Sequence, residues 1–146
     1  FSTMANASPD LIWGVVRDTS CHILKARQSG RTKVMGKRGA EFTMEPNNPT
    51  GINSWKYSGL ANAKTVDVTP VEGGVLLTTK SKDAKRIGKP SKALNKTTLT
   101  KDFRRVAKTI VKTTKDNFYR PDLTNAVLAK WSLIHASQKR IKAAKK

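Results

Sequence analysis

A single cysteine, Cys21, stands in the 146 residues, so the chain cannot close a disulfide on itself, and the paired C-x-x-C patterns of structural zinc sites are missing. A reducing compartment is the simplest expectation. The two histidines, His22 and His135, are far apart in the sequence, and isolated histidines do not make a metal site. Cys21 and His22 are neighbours on what reads as a strand, where adjacent side chains point to opposite faces, so they cannot form a thiolate-imidazole pair. Neither G-x-x-x-x-G-K-[ST] nor G-x-G-x-x-G occurs, Gly73-Gly74 reads as a turn, and the acids are scattered singly. The expectation is no catalytic residue, no metal, no cofactor and no small-molecule substrate. Long apolar runs are also lacking: LIWGVV at 11–16 and GGVLL at 73–77 are far too short to span a bilayer, and the start has no signal-peptide pattern. A soluble intracellular protein without a membrane partner is expected.

Negative charge is the scarcest property. Ten Asp and Glu stand against 29 Lys and Arg, a formal +19, and a chain so charged repels itself unless something anionic neutralises it. The excess is uneven. Phe1 to Thr79 carries nine basic and six acidic residues, whereas Lys80 to Lys146 carries twenty and four. A small acidic ligand needs only a few cations in one pocket, so this balance points to nucleic acid or an anionic surface as the partner of the second half.

The apolar pattern predicts a single α+β domain. Ser8-Pro9-Asp10 carries the signals of a helix start, opening one or two turns over DLIWGVVR. CHILKAR at 21–27 alternates like a strand, and QSGRTKVMGKRGAE at 28–41 reads as a long hairpin or mobile loop. FTMEPNNPTGINS concentrates turn formers, with WKYSG at 55–59 as the expected next strand. KTVDVTP, VEGG and GVLLTTK form the clearest hairpin, over 64–80. The expected organisation is a sheet portion at 1–79, a basic extended linker at 80–97, a helical hairpin of the same domain at 98–138, and a basic tail at 139–146. The two charged segments have too little apolar content to order themselves without a partner. The fold class is therefore α+β, a small antiparallel sheet packed by an αα-hairpin with basic extended segments.

KDFRRVAKTIVKTTK at 101–115 carries two stripes. Extended back to Leu99, helical spacing puts Leu99, Phe103, Val106, Ala107 and Ile110 on one side, expected to be core. Lys101, Arg104, Arg105, Lys108, Lys112 and Lys115 lie opposite. A solvated face would interleave acids at i, i+4, but Asp102 and Asp116 are the only two from 101 to 116, so the stripe reads as a contact face. In the second helix Leu123, Val127, Trp131 and Ile134 recur at core spacing. His135 reads as a surface or partly buried residue. The first helix offers few bulky anchors that its own core does not need, which weakens a membrane reading. Trp55, Tyr57, Phe118 and Tyr119 sit beside cations, and both core packing and base stacking remain open for them. The remaining candidate contacts are Arg17, Lys56 and Arg120; Lys80, Lys82, Lys85, Arg86, Lys89, Lys92 and Lys96 of the linker; and Lys139, Arg140 and Lys142 of the tail.

Specific residues go further than composition. Glu45-Pro46-Asn47-Asn48, Asn53-Ser54, Tyr57, Gly59-Leu60 and Lys64-Thr65-Val66 resemble the eukaryotic large-subunit ribosomal protein twenty-eight family. The likeness extends to Leu11, Trp13 and Val15-Val16-Arg17, and to Tyr119-Arg120-Pro121-Asp122-Leu123 and Ser137-Gln138-Lys139. It implies a non-catalytic structural component of the large subunit of the cytosolic ribosome, assembled in the nucleolus, with ribosomal RNA and neighbouring ribosomal proteins as partners. Two segments depart from it: 28–41 is longer than the family's usual length, and 80–97 matches only in being basic. A nucleolar ribosome-assembly factor with a similar domain is the alternative. A chromatin protein is a third reading, without a recognition-helix or zinc motif to support it.

Overall fold

The computed structural model describes residues 7–24, 41–81, 89 and 92–144. The first helix, α1 (Pro9–Thr19), starts as the sequence predicts: the Ser8 hydroxyl accepts the Leu11 N–H at 3.2 Å and Pro9 stands in the first turn. It runs to three turns rather than one or two. None of its residues is fully buried; Asn53 ties it to the body by donating its side-chain amide to the Arg17 carbonyl at 2.9 Å.

The strand expected at 21–27 shrinks to one bridge between Ile23 and Thr43, with Cys21 and His22 in a turn and 25–27 outside the described residues. The expected hairpin or loop at 28–41 also lies outside them, except Glu41. No strand forms at 55–59. The backbone turns there, with Tyr57 and Ser58 N–H groups both donating to the Ser54 carbonyl. Glu45 ties this turn to the preceding loop, its carboxylate accepting from the Gly59 N–H at 3.2 Å, the Ser58 hydroxyl at 3.2 Å and the Asn48 side-chain amide at 2.9 Å. Asn48 in turn closes the loop, its side-chain oxygen accepting the Thr50 and Gly51 N–H groups. Gly59 passes so close to this loop that a Cβ there would lie 2.0 Å from the Pro46 carbonyl oxygen.

The hairpin is the one expected. Strands β1 (Val66–Val71) and β2 (Gly74–Lys80) pair antiparallel around Glu72-Gly73, with Gly73 supplying a φ of 75°. Pro70 is tolerated because β1 is an edge. Val66, Val68, Val75 and Leu77 share the buried face.

A third strand, β3 (Leu94–Leu99), corrects the boundaries set at 97 and 98. It pairs with β2 from Val75↔Leu99 to Lys80↔Leu94, so Leu99 belongs to the sheet and not to the helix stripe. The backbone of LNKTTL satisfies the open edge of β2, and its polar side chains are acceptable because β3 is itself an edge with one side in water.

Helix α2 (Phe103–Val111) and helix α3 (Thr124–Ala144) then cover the buried sheet face, with Val106, Ile110, Leu123, Val127 and Trp131 completing the core. Between them α2 widens into a π turn over Lys112–Asp116. This carries Thr114 inward, where its hydroxyl donates to the Ile110 carbonyl at 2.8 Å and accepts from the Thr124 hydroxyl at 2.9 Å. Phe103, expected in the core, is 39% exposed and lies at its rim, stacked on Trp131 and tilted against His135. The expected tail is a correction too: 139–144 continue α3, because QKRIKAA contains no Gly or Pro to stop it and suits helix well.

Candidate nucleic-acid interface

With Val106 and Ile110 held against the sheet, the opposite side of α2 must face away from the core. Lys101, Arg104, Arg105, Lys108, Lys112 and Lys115 are all exposed there or on the flanking turns. Arg105 reaches Asp102 at 3.2 Å, with both side chains more than half exposed, so the pair neutralises little of the field. Lys101, Arg104, Lys108, Lys112 and Lys115 form no ion pair among the described residues. Like charges spaced three and four apart on one helix repel one another. The arrangement costs stability in the free chain and creates a positive surface able to hold a row of phosphates.

The other candidates do not all join this surface. Arg120 is committed to the fold. Its guanidinium donates to both carboxylate oxygens of Asp122 at 2.9 Å, to the Lys64 carbonyl at 2.8 Å and to the Lys56 carbonyl at 2.9 Å. These bonds join the α2–α3 connection to the segment before β1 and hold the Asp122 carboxyl below the ordinary aspartate range. Lys80 also turns inward: its ammonium donates to the Asn62 carbonyl at 2.7 Å and the Gly59 carbonyl at 3.0 Å. Burial lowers its affinity for a proton, and Glu45 opposes that shift. The Lys80 carbonyl accepts the Tyr119 hydroxyl at 2.7 Å, so Tyr119 is core, whereas Phe118 beside it is 82% exposed.

Lys96 is exposed, but pairing with Thr78 puts it on the sheet face opposite Val66, Val68, Val75 and Leu77. Near Lys96 lies the Lys130–Asp67 ion pair at 2.6 Å, in which burial raises the carboxyl of Asp67 despite its partner. Arg17 stands at the end of α1, 3.4 Å from Asp18 and largely in water. Lys89 and Lys92 are exposed, and Lys82, Lys85 and Arg86 lie outside the described residues. Lys139, Arg140 and Lys142 are exposed on the last turns of α3, carried by a helix instead of a free tail.

Lys56 is exposed, its ammonium 5.5 Å from the centre of the Tyr57 ring. Lys64, absent from the sequence-derived set, is brought to the same corner by Arg120 and stands 6.0 Å from the Tyr119 ring. Its spacing from Lys56 gives no periodic signal; only the long-range clamp joins them. Among the described residues no three of His, Cys, Asp and Glu gather as metal ligands, and no helix is long and apolar enough to cross a membrane.

Residues 11–137 match the Ribosomal L28e protein family. The large ribosomal subunit protein eL28 of Schizosaccharomyces pombe is similar at 34% identity over 136 residues, covering 92% of this chain and 95% of that protein. The protein of the same name from Dictyostelium discoideum is 30% identical over 139 residues, covering 95% and 92% respectively. That of Caenorhabditis elegans is 37% identical over 105 residues, covering 69% of this chain and 73% of its own. On a match of this extent, with relatives covered over most of their length, the chain belongs to the ribosomal L28e protein family, whose members are ribosomal proteins and not enzymes.

Proposed function

We propose that the chain is a structural constituent of the large subunit of the eukaryotic cytosolic ribosome, and that it holds ribosomal RNA through phosphate contacts along the outer side of α2. The observation that carries the RNA contact is the row Lys101, Arg104, Lys108, Lys112 and Lys115, exposed opposite a buried face and unpaired among the described residues. The names of the relatives support the subunit. Lys139, Arg140 and Lys142 extend the basic surface along α3, and neighbouring ribosomal proteins take the remaining faces. Assembly in the nucleolus, followed by residence on cytoplasmic ribosomes, is part of the same proposal.

A salt titration with protein-free large-subunit ribosomal RNA tests it. Five phosphate contacts give a slope of log affinity against log salt of about −3.5 to −4.5, at roughly 0.7–0.9 for each phosphate held. A slope near zero refutes the phosphate contacts. Equal affinity for DNA duplexes of matched sequence refutes RNA as the partner, because an RNA reader exploits helix shape and 2′-hydroxyls. Retention on large subunits after a high-salt wash is the result expected of a permanent constituent; sedimentation with nuclear precursors alone identifies an assembly factor.

A further inference from the structure

Phe118 occupies a position that suits neither its backbone nor its side chain. Its φ of 49° lies in the left-handed region, where a residue with a bulky side chain is an outlier and glycine is favoured. The residue is 82% exposed, and its ring takes part in no aromatic or cation–π contact among the described residues. The backbone is fixed nonetheless: the Phe118 N–H donates to the Lys115 carbonyl at 3.0 Å, and the next N–H, of Tyr119, donates to the Thr114 carbonyl at 3.1 Å. Thr114 is wholly buried and the Tyr119 ring is in the core, so the turn between them holds Phe118 outward. Glycine would close this turn with less strain and without an exposed ring.

The surroundings identify what the ring meets. Phe118 follows the π turn that carries the exposed Lys112 and Lys115, with Asp116 as the one acid of that turn. Next to Tyr119 stands Lys64. Arg120 contributes little free charge because Asp122 neutralises it. Phe118 therefore stands exposed just past the end of a cationic row, where a polyanion that also presents flat apolar faces is complementary in both charge and shape. We propose that Phe118 is a stacking platform for an unpaired nucleobase of the RNA whose phosphates lie along α2. This rests on the phosphate-binding reading above and adds a single-stranded element to it, since only an unpaired base offers a free face.

The test uses the full chain, protein-free large-subunit ribosomal RNA, and four variants: Phe118→Gly, Phe118→Leu, Phe118→Trp, and Lys101, Arg104, Lys108, Lys112 and Lys115 all changed to Gln. Phe118→Gly unfolds at the same or a higher temperature than the parent, because glycine accepts the positive φ, yet binds RNA about 5- to 150-fold more weakly, the range of one lost base stack. Its salt slope is unchanged, since stacking releases no counterions. Phe118→Leu loses as much affinity as Phe118→Gly, and Phe118→Trp retains it. Wild-type affinity in Phe118→Gly overturns the inference, and wild-type affinity in Phe118→Leu assigns the site to an aliphatic or protein contact and overturns it equally. The Gln variant separates the two readings: if it keeps the parental slope, the phosphate face on α2 is wrong; if its slope flattens while Phe118→Gly binds normally, stacking alone is wrong.

Discussion

Replacing Arg120 by Ala separates a cation that holds the fold from one that holds RNA. The change removes four charge-assisted hydrogen bonds, two to Asp122 and one each to the Lys56 and Lys64 carbonyls. Such bonds are worth about 1.5–3 kcal/mol each when removed singly. They do not add here, because all four share one guanidinium and the acceptors lie near water: the Arg120 side chain is 16% exposed and that of Asp122 is 39%. A loss of about 2–4 kcal/mol is expected, which for a chain of this size lowers the unfolding temperature by roughly 5–15 °C. Arg120→Lys recovers less than half, since one ammonium cannot span a bidentate carboxylate and two carbonyls. Thermal unfolding and a salt titration of RNA binding on the same variants decide the matter. The clamp predicts a clear loss of stability with an unchanged salt slope. If Arg120→Ala unfolds at the parental temperature and its slope falls by the share of one phosphate, Arg120 is an RNA ligand and the reasoning fails.

Changing Lys101, Arg104, Lys108, Lys112 and Lys115 to Gln leaves the free protein as stable or slightly more stable by thermal unfolding, because like-charge repulsion is relieved, and the salt slope of RNA binding flattens by about 0.7–0.9 for every phosphate no longer held. Ile110→Ala costs about 2–5 kcal/mol in denaturant unfolding, whereas Phe103→Ala costs only about 1–3 kcal/mol, since its ring already lies at the rim. Gly59→Ala destabilises by about 3 kcal/mol or more, because backbone lies where the new methyl would sit; a neutral result shows that the loop yields. Asp122→Asn is less stable than the parent at neutral pH. Because the folded carboxyl is held below its ordinary value, the stabilisation is present above the unfolded pKa and lost as pH falls through the folded one, so the two unfolding curves converge in acid.

What was legible in the sequence was local. The Ser8-Pro9-Asp10 cap, the alternation of Val66 and Val68 against Val75 and Leu77, and the spacing of Val106, Ile110, Val127 and Trp131 each follow from a turn or a period within a few residues. Composition likewise implied a polyanionic partner, since net charge does not depend on fold. Only tertiary structure decided the remainder, because the energies involved join residues distant in sequence. LNKTTL is a strand because β2 has an open edge, and its own side chains announce almost nothing. WKYSG is a turn, its Tyr57 and Ser58 N–H groups bound to the Ser54 carbonyl and its end tied to the distant Glu45 carboxylate through the Ser58 hydroxyl and the Gly59 N–H. Arg120 and Lys80 look like any other cation until their carbonyl partners, 18 to 64 residues away, are brought within reach. Phe118 and Tyr119 are adjacent aromatics that composition cannot tell apart. The π turn fixes one inward and one outward, so a neighbour of a core residue becomes the most exposed large apolar side chain among those described.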